Sequence, residues 1–251
     1  MSIERKGLNL SLTHMKIIGL IFLSAQPLFL CLSKINVIVI TPGVAEILSA
    51  IDLVAIPVLA LTVVQDFLLE KSKVKYAGLL MGIGLFSEIQ YDFLNDGKFI
   101  DIKNNNIFFF LVVSVVAVLL VSLVEKWAIR RIAKGTNRYF TRDVAEFIVW
   151  IIMFLLLSLV IDYLSYNGMM VIFIAVGIYL FRPNPIRAIS AGMVILFIIS
   201  GDYKPLLMLI GVIPFLFYNG DEKEEKFITP YIFYPVILAI LSVVKMLRTG
   251  V

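Results

Sequence analysis

The sequence predicts an all-α protein: a helical bundle that crosses a membrane about nine times and forms one transmembrane domain over residues 1–251. Of the 251 residues, 61% are hydrophobic and 16% are charged, whereas a soluble domain carries about 25% charged residues. The apolar residues form continuous runs, unlike the alternating pattern of membrane β-strands. Because lipid offers no hydrogen-bond partners, each run must pair its own backbone, which favours helices.

Breaks between the apolar runs define the spans. Segments such as Thr41-Pro42-Gly43 and Lys204-Pro205 interrupt helices, because proline lacks an N–H donor and its ring restricts the backbone. The sixth to eighth spans are short for a bilayer about 30 Å thick. Three explanations remain open for these short spans. They are tilted less than the other spans, they include flanking aromatic residues, or they enter and leave the membrane on the same side. The predicted spans are 15–33, 44–69, 76–94, 106–124, 144–162, 168–181, 187–200, 205–219 and 227–246.

Basic residues predict the orientation. With the amino terminus in the cytoplasm, 16 of the 22 Lys and Arg residues fall on the inside, including Lys16 at the start of the first span. Nine spans then place the carboxyl terminus outside. The first ten residues are polar and basic, and no cleavage site follows the next apolar run, so this run is interpreted as a span and not as a signal peptide. Cys31 is the single cysteine, which excludes an internal disulfide.

The loop 125–143 holds six of the basic residues. Two interpretations remain open for it. It sets the topology, or its side chains, among them Arg130, Arg131 and Lys134, bind the phosphates of an anionic cofactor or of acidic lipids. The net charge of +4 predicts no nucleic-acid partner, since the basic residues lie in short loops that topology explains.

Charged residues within the spans are candidate site residues, because each costs at least about 2.5–3.5 kcal/mol at membrane depth. Glu88 and Asp92 of the third span are four residues apart and share one helix face. We expect both to face the bundle interior with hydroxyl or amide partners. The second span contributes Asp52, and also Asp66, which is placed near the cytoplasmic end where water can solvate it.

Motifs of soluble enzymes are not found in the sequence. It contains no nucleotide-binding loop, no Gly-x-Ser-x-Gly elbow and no His or Cys cluster for a metal. It also shows no clear internal duplication of the kind that marks many transporters.

Two motif blocks carry a resemblance to a known family. The segment 87–93 (SEIQYDF), with Gly97-Lys98 and 106–109 (NIFF), resembles a block of the TraX family. Near the carboxyl end, 218–220 (YNG) and 231–235 (YIFYP) are similar to a second block of that family. Weaker matches in the same order extend the resemblance over about 15–240.

The resemblance implies an acyltransferase-like fold in the bacterial cytoplasmic membrane. Family members linked to conjugation are thought to acetylate the amino terminus of pilin, with acetyl-CoA as the acyl donor. The implied partners are the lipid bilayer and a small hydrophobic or pilin-like peptide. The implied site residues are Glu88 and Asp92 as catalytic candidates, Asn106, Tyr218, Asn219 and Tyr234 for the substrate, and Arg130, Arg131 and Lys134 for the CoA phosphates.

This chain departs from the family at the histidines. The family's Asp-His pair falls on Ala25-Gln26, and its carboxyl-terminal histidine falls on Ile237. Glutamine cannot act as a general base near neutral pH, so slow or absent acetyl transfer is expected. Three functions stay open: an acetyltransferase, an inactive protein that binds a small hydrophobic peptide, lipid or partner, and a transporter that uses Glu88 and Asp92 as a proton or cation relay. This chain also departs from the family at three further positions. The family's Glu-Gly pair falls on Gln65-Asp66, and a family Arg falls on Leu53.

Overall fold

The computed structural model describes residues 10–98, 106–132, 166–181, 186, 189–190, 193–194, 203–218 and 229–249. This part of the chain is helical, and no β-strand occurs in it. The α-helices are α1 (Leu12–Lys34), α2 (Pro42–Leu69), α3 (Lys73–Asp96), α4 (Ile107–Ile132), α5 (Tyr166–Leu180), α6 (Lys204–Leu207) and α7 (Phe233–Thr249). Two 3-10 helices accompany them, η1 (Met208–Phe217) and η2 (Thr229–Ile232).

Four segments of the described chain are long and apolar enough to cross a membrane, which confirms a helical membrane protein. The predicted span 144–162 and most of 187–200 lie outside the described residues, so the count of about nine stays a prediction. The four segments are Leu12–Lys34, Pro42–Leu69, Ile107–Trp127 and Thr229–Arg248.

The predicted eighth span, 205–219, is not one continuous α-helix. The four-residue α6 passes into η1, which holds Pro214. Proline lacks an N–H and disfavours helical geometry in the residue before it. The ten residues of η1, at about 2 Å each, cover about 20 Å, which is short of a bilayer. At Gly211 a Cβ would lie 2.2 Å from the Val54 carbonyl oxygen, so η1 lies directly against α2.

Short polar residues explain where the first helices begin. The side chains of Ser11, Thr41 and Ser72 each accept a hydrogen bond from the backbone N–H three residues later, as N-caps do. Gly97, with φ of 70°, ends α3 in the left-handed region that favours glycine. Lys73 donates to carbonyl groups at the end of α2 and so closes the tight turn between α2 and α3.

Helix α2 lies at the centre of the described bundle. Every residue from 53 to 64 is buried, and α2 contacts α1, α4, α5, α6 and η1. Helix α1 runs antiparallel to it and comes close at Gly19, where a Cβ would lie 2.8 Å from Leu59 Cδ2. Because Gly19 has no side chain, α1 can approach α2 closely at this point. The close approach brings polar groups of α1 against α2.

The outward faces of several helices are apolar. Ile21, Leu85, Leu120, Val243 and Leu247 are all exposed, on α1, α3, α4 and α7. A surface this apolar is unfavourable in water, and lipid is its natural neighbour. The protein is therefore embedded in a membrane with these faces toward the acyl chains.

Candidate functional site

A buried ion pair joins the beginning of α1 to the end of α2. Lys16 Nζ lies 2.7 Å from Asp66 Oδ1, and the two side chains are 2% and 0% exposed. The sequence-based placement of Asp66 in water and of Lys16 among the loop charges is therefore wrong. A single charge buried here would be strongly unfavourable, so each residue neutralises the other.

Two tyrosines complete what we call the ion-pair cluster: Lys16, Thr62, Asp66, Tyr76 and Tyr231. The hydroxyl groups of Tyr76 and Tyr231 each donate to Asp66 Oδ2 at 3.2 Å. Tyr231 Oη also lies 3.0 Å from Thr62 Oγ1, and the Lys16 ammonium lies 5.3 Å from the centre of the Tyr231 ring. The cluster therefore ties together α1, α2, α3 and η2.

A second polar contact fastens α3 to the start of α4. Glu88 and Asp92 are both buried, at 9% and 0% exposure, as the sequence predicts. Glu88 Oε2 accepts a hydrogen bond from the backbone N–H of Asn106 at 2.9 Å. Asn106 Nδ2 donates to the Gly84 carbonyl at 3.0 Å, and its Oδ1 accepts from the Phe108 N–H at 2.8 Å. Asn106 thus caps α4 and holds it against α3.

Aromatic rings connect the ion-pair cluster with the contact between Glu88 and Asn106. Tyr234 is fully buried, and its ring centre lies 5.3 Å from that of Phe108. Phe108 also meets Tyr231 edge to face at 6.0 Å. Tyr234, a predicted substrate residue, is therefore packed in the core against Phe108 of α4.

The structure adds Asp52 to the candidate site. Its Oδ1 atom is buried and has no hydrogen-bond partner among the described residues. The sequence shows an acidic residue inside the second span, but it does not show that one of its carboxyl oxygens is buried.

Helix register places Gln26 at the level of Asp52. Across the antiparallel pair of α1 and α2, Gly19 faces Leu59. Gln26 is seven residues further along α1, and Asp52 is seven residues back along α2. Because seven residues make nearly two helical turns, both positions stay on the faces that meet. We call Gln26, Asp52, Glu88, Tyr91 and Tyr234 the polar layer.

The remaining predicted site residues lie away from the polar layer or outside the described residues. Tyr218 lies beside the chain just before α1, where the Leu10 N–H donates to the Phe217 carbonyl at 2.8 Å. Arg130 and Arg131 are on the last turns of α4. Asn219 and Lys134 lie outside the described residues. In the described ranges, no group of three or more His, Cys, Asp or Glu residues is placed to hold a metal ion.

Comparison with known families gives one result. A family model described as TraX protein matches residues 11–245, which is nearly the whole chain. The matched range contains both the ion-pair cluster and the polar layer. Comparisons with curated proteins and with solved structures gave no significant match.

Proposed function

The chain belongs to the TraX family, and from this premise we propose that it binds the amino-terminal part of a small hydrophobic peptide within the membrane, without efficient acetyl transfer. The polar layer is the observation that supports this function most directly. It combines Gln26 and Asp52, which helix register puts at one level on α1 and α2, with polar side chains of α3 and α7, in a bundle whose outward faces are apolar. An apolar peptide with one charged end matches such surroundings.

The chemistry of the layer suits an amino group. A protonated amine carries only donors, whereas carboxylate, hydroxyl and amide oxygens accept hydrogen bonds. Asp52 and Glu88 contribute carboxyl oxygens to the polar layer, and Tyr91 and Tyr234 contribute hydroxyl oxygens. The acceptor that the family resemblance implies, the amino terminus of a small peptide, can donate hydrogen bonds to these oxygens.

Inefficient transfer follows from the residues in place of the family's histidines. Acetyl transfer to an amine needs a base, which contributes typically about 10²–10⁴-fold to the rate. Gln26 and Ile237 cannot take up a proton. Glu88 already accepts a hydrogen bond from Asn106, so part of its capacity is used to hold α4.

A working acetyltransferase is the second candidate function, and Asp52 favours it. Asp52 Oδ1, which has no hydrogen-bond partner among the described residues, belongs to a residue at the level of Gln26, where the family has its histidine. In such a reaction the substrate ammonium would give a proton to Asp52. The neutral amine would then attack the thioester carbonyl of acetyl-CoA, and the CoA thiol would leave. Arg130 and Arg131 would meet the CoA phosphates, with the amino terminus of the chain on the cytoplasmic side.

Peptide binding tests the proposed function. We expect the purified protein in lipid nanodiscs to bind a synthetic peptide of Leu and Ala that carries a free amino terminus and a carboxyl-terminal fluorophore. Fluorescence anisotropy should rise and saturate as the protein concentration increases. Empty nanodiscs of the same lipids measure simple partition into the bilayer. A signal that does not exceed that of the empty nanodiscs would rule the function out.

A further inference from the structure

We propose that one end of the bundle binds the headgroups of acidic phospholipids through Lys71, Lys75 and Lys126, which we call the basic end. Lys71 lies in the turn between α2 and α3, Lys75 lies on the first turn of α3, and Lys126 lies near the end of α4. This surface is separate from the polar layer, so the inference does not depend on the proposed function. Its ligand is an amphipathic phosphodiester that carries a net negative charge.

A series of contacts brings the turn between α2 and α3 close to the end of α4. The Lys73 ammonium lies 4.7 Å from the centre of the Phe67 ring, and this ring meets the Tyr179 ring edge to face at 6.2 Å. The Tyr179 hydroxyl donates to Glu125 Oε2 at 3.0 Å, and Lys126 is the next residue along α4. The lysines of the two segments therefore share one end of the bundle.

The three lysines of the basic end have exposed side chains, and within the described ranges they form no ion pair. Carboxylates next to them in the sequence are engaged elsewhere. Glu70 Oε1 accepts a hydrogen bond from the Ser72 N–H at 3.1 Å, and Glu125 Oε2 accepts one from the Tyr179 hydroxyl. Lys73 of the same turn differs, because it donates to carbonyl groups at the end of α2. The basic end thus presents positive charge that is available to an external anion.

Apolar side chains beside the lysines indicate that a lipid supplies this anion. Leu123, one turn before Lys126, is 52% exposed, and Leu79, one turn after Lys75, is 43% exposed. Trp127 is 59% exposed, and tryptophan is enriched where lipid headgroups meet the acyl chains. A free phosphate would contact the lysines alone. A phospholipid contacts the lysines with its headgroup and the exposed leucines with its acyl chains.

A headgroup with a net negative charge suits the basic end better than a zwitterionic headgroup. The zwitterionic headgroup carries a cation of its own, which would lie among the lysines. Phosphatidylglycerol carries a phosphate and hydroxyl groups but no cation. Each lysine near a surface of acidic lipids strengthens the attraction by about fivefold, and added salt weakens it. Three unpaired lysines at one end therefore select acidic lipids.

Quenching of Trp127 fluorescence tests the inference at the basic end itself. Trp150→Phe leaves Trp127 as the single tryptophan of the chain. This protein would be reconstituted into vesicles of equal amounts of phosphatidylglycerol and phosphatidylcholine, with bromine on the acyl chains of one lipid or of the other. We expect brominated phosphatidylglycerol to quench more strongly, with a relative binding constant of at least about fivefold. High salt should lower this preference.

Two pairs of substitutions in that protein assign the preference to the basic end. Lys71→Gln with Lys126→Gln removes two of its three charges and should lower the preference by at least about twofold. The matched control is Lys98→Gln with Arg248→Gln, which removes two exposed charges after α3 and at the end of α7. The control should keep the preference. Lys71→Arg with Lys126→Arg keeps the charges and should also keep it, which separates a loss of charge from a change in fold.

Equal quenching by the two brominated lipids would overturn the inference, and so would a preference that survives Lys71→Gln with Lys126→Gln. An equal loss in the control pair would show an effect of net charge and would also overturn it. Inorganic phosphate should not change the quenching ratio relative to chloride at the same ionic strength. A fall with phosphate would assign the basic end to a free anion in place of a lipid. None of these results alters the peptide-binding measurement, so the two proposals fail separately.

Discussion

Lys16→Met is expected to lower the free energy of unfolding by about 3–5 kcal/mol, because it leaves a buried charge without its partner. Methionine has a similar length but no charge, so the change removes little packing. Asp66 would then remain 0% exposed with no cation at 2.7 Å, and the two tyrosine hydroxyls cannot replace the ammonium. The loss should spread to η2, since Tyr231 is held by the same carboxylate.

Denaturation of the purified protein by sodium dodecyl sulfate, followed by circular dichroism, measures this effect. Lys126→Met removes an exposed lysine of α4 and should change the stability little. Adding Asp66→Asn to Lys16→Met removes the uncompensated charge and should recover much of the loss. Equal stability of Lys16→Met and Lys126→Met would show that the ion pair contributes nothing.

Asn106→Ala is expected to lower the free energy of unfolding by about 2–3 kcal/mol. An N-cap is worth about 0.5–2 kcal/mol, and a buried group left without its partner adds about 1–3 kcal/mol. The side chain of Asn106 both caps α4 at the Phe108 N–H and donates to the Gly84 carbonyl of α3. Alanine would end both contacts.

Ser114→Ala is the control for this change. Ser114 is also buried on α4, but its hydroxyl donates only to the Phe110 carbonyl one turn earlier. That carbonyl keeps its helical hydrogen bond, so the control should be nearly neutral. If the two variants had the same stability in the detergent titration, Asn106 would not hold α4 to α3.

The sequence predicts the first four helices well. The predicted spans 15–33 and 44–69 lie within α1 and α2, 76–94 lies within α3, and 106–124 begins one residue before α4. Continuous apolar runs set the length of these helices, and polar N-caps together with proline and glycine set their ends. Both signals are local, so one sequence is enough to read them.

Contacts between distant segments were not predictable in this way. Asp66 sits near the end of its helix, a position that usually meets water, but η2 and Lys16 enclose it. The sequence holds Tyr231 within a family-like motif, and that motif was the one signal that pointed to its importance. It did not indicate which carboxylate the tyrosine would meet.

The sequence predicted only part of the candidate site, because contacts between distant segments are not visible in it. Glu88 and Asn106 belong to one motif block, and the structure joins them directly. Asp52 lies outside the blocks, so no motif marked it, and the burial of its Oδ1 atom was visible only in the structure. The irregular η1 was also missed, since an apolar run does not distinguish a 3-10 helix from an α-helix.

Acetyl transfer is the most direct test of the central claim that the chain binds a peptide amino end without efficient catalysis. The wild-type protein in nanodiscs would be incubated with labelled acetyl-CoA and the free-amino peptide, and the acetylated peptide would be measured by mass spectrometry. We predict a rate close to that of empty nanodiscs, unchanged by Glu88→Gln or Asp52→Asn. Robust turnover by the wild type that collapses in either variant would contradict the account and make the chain an acetyltransferase with a carboxylate base.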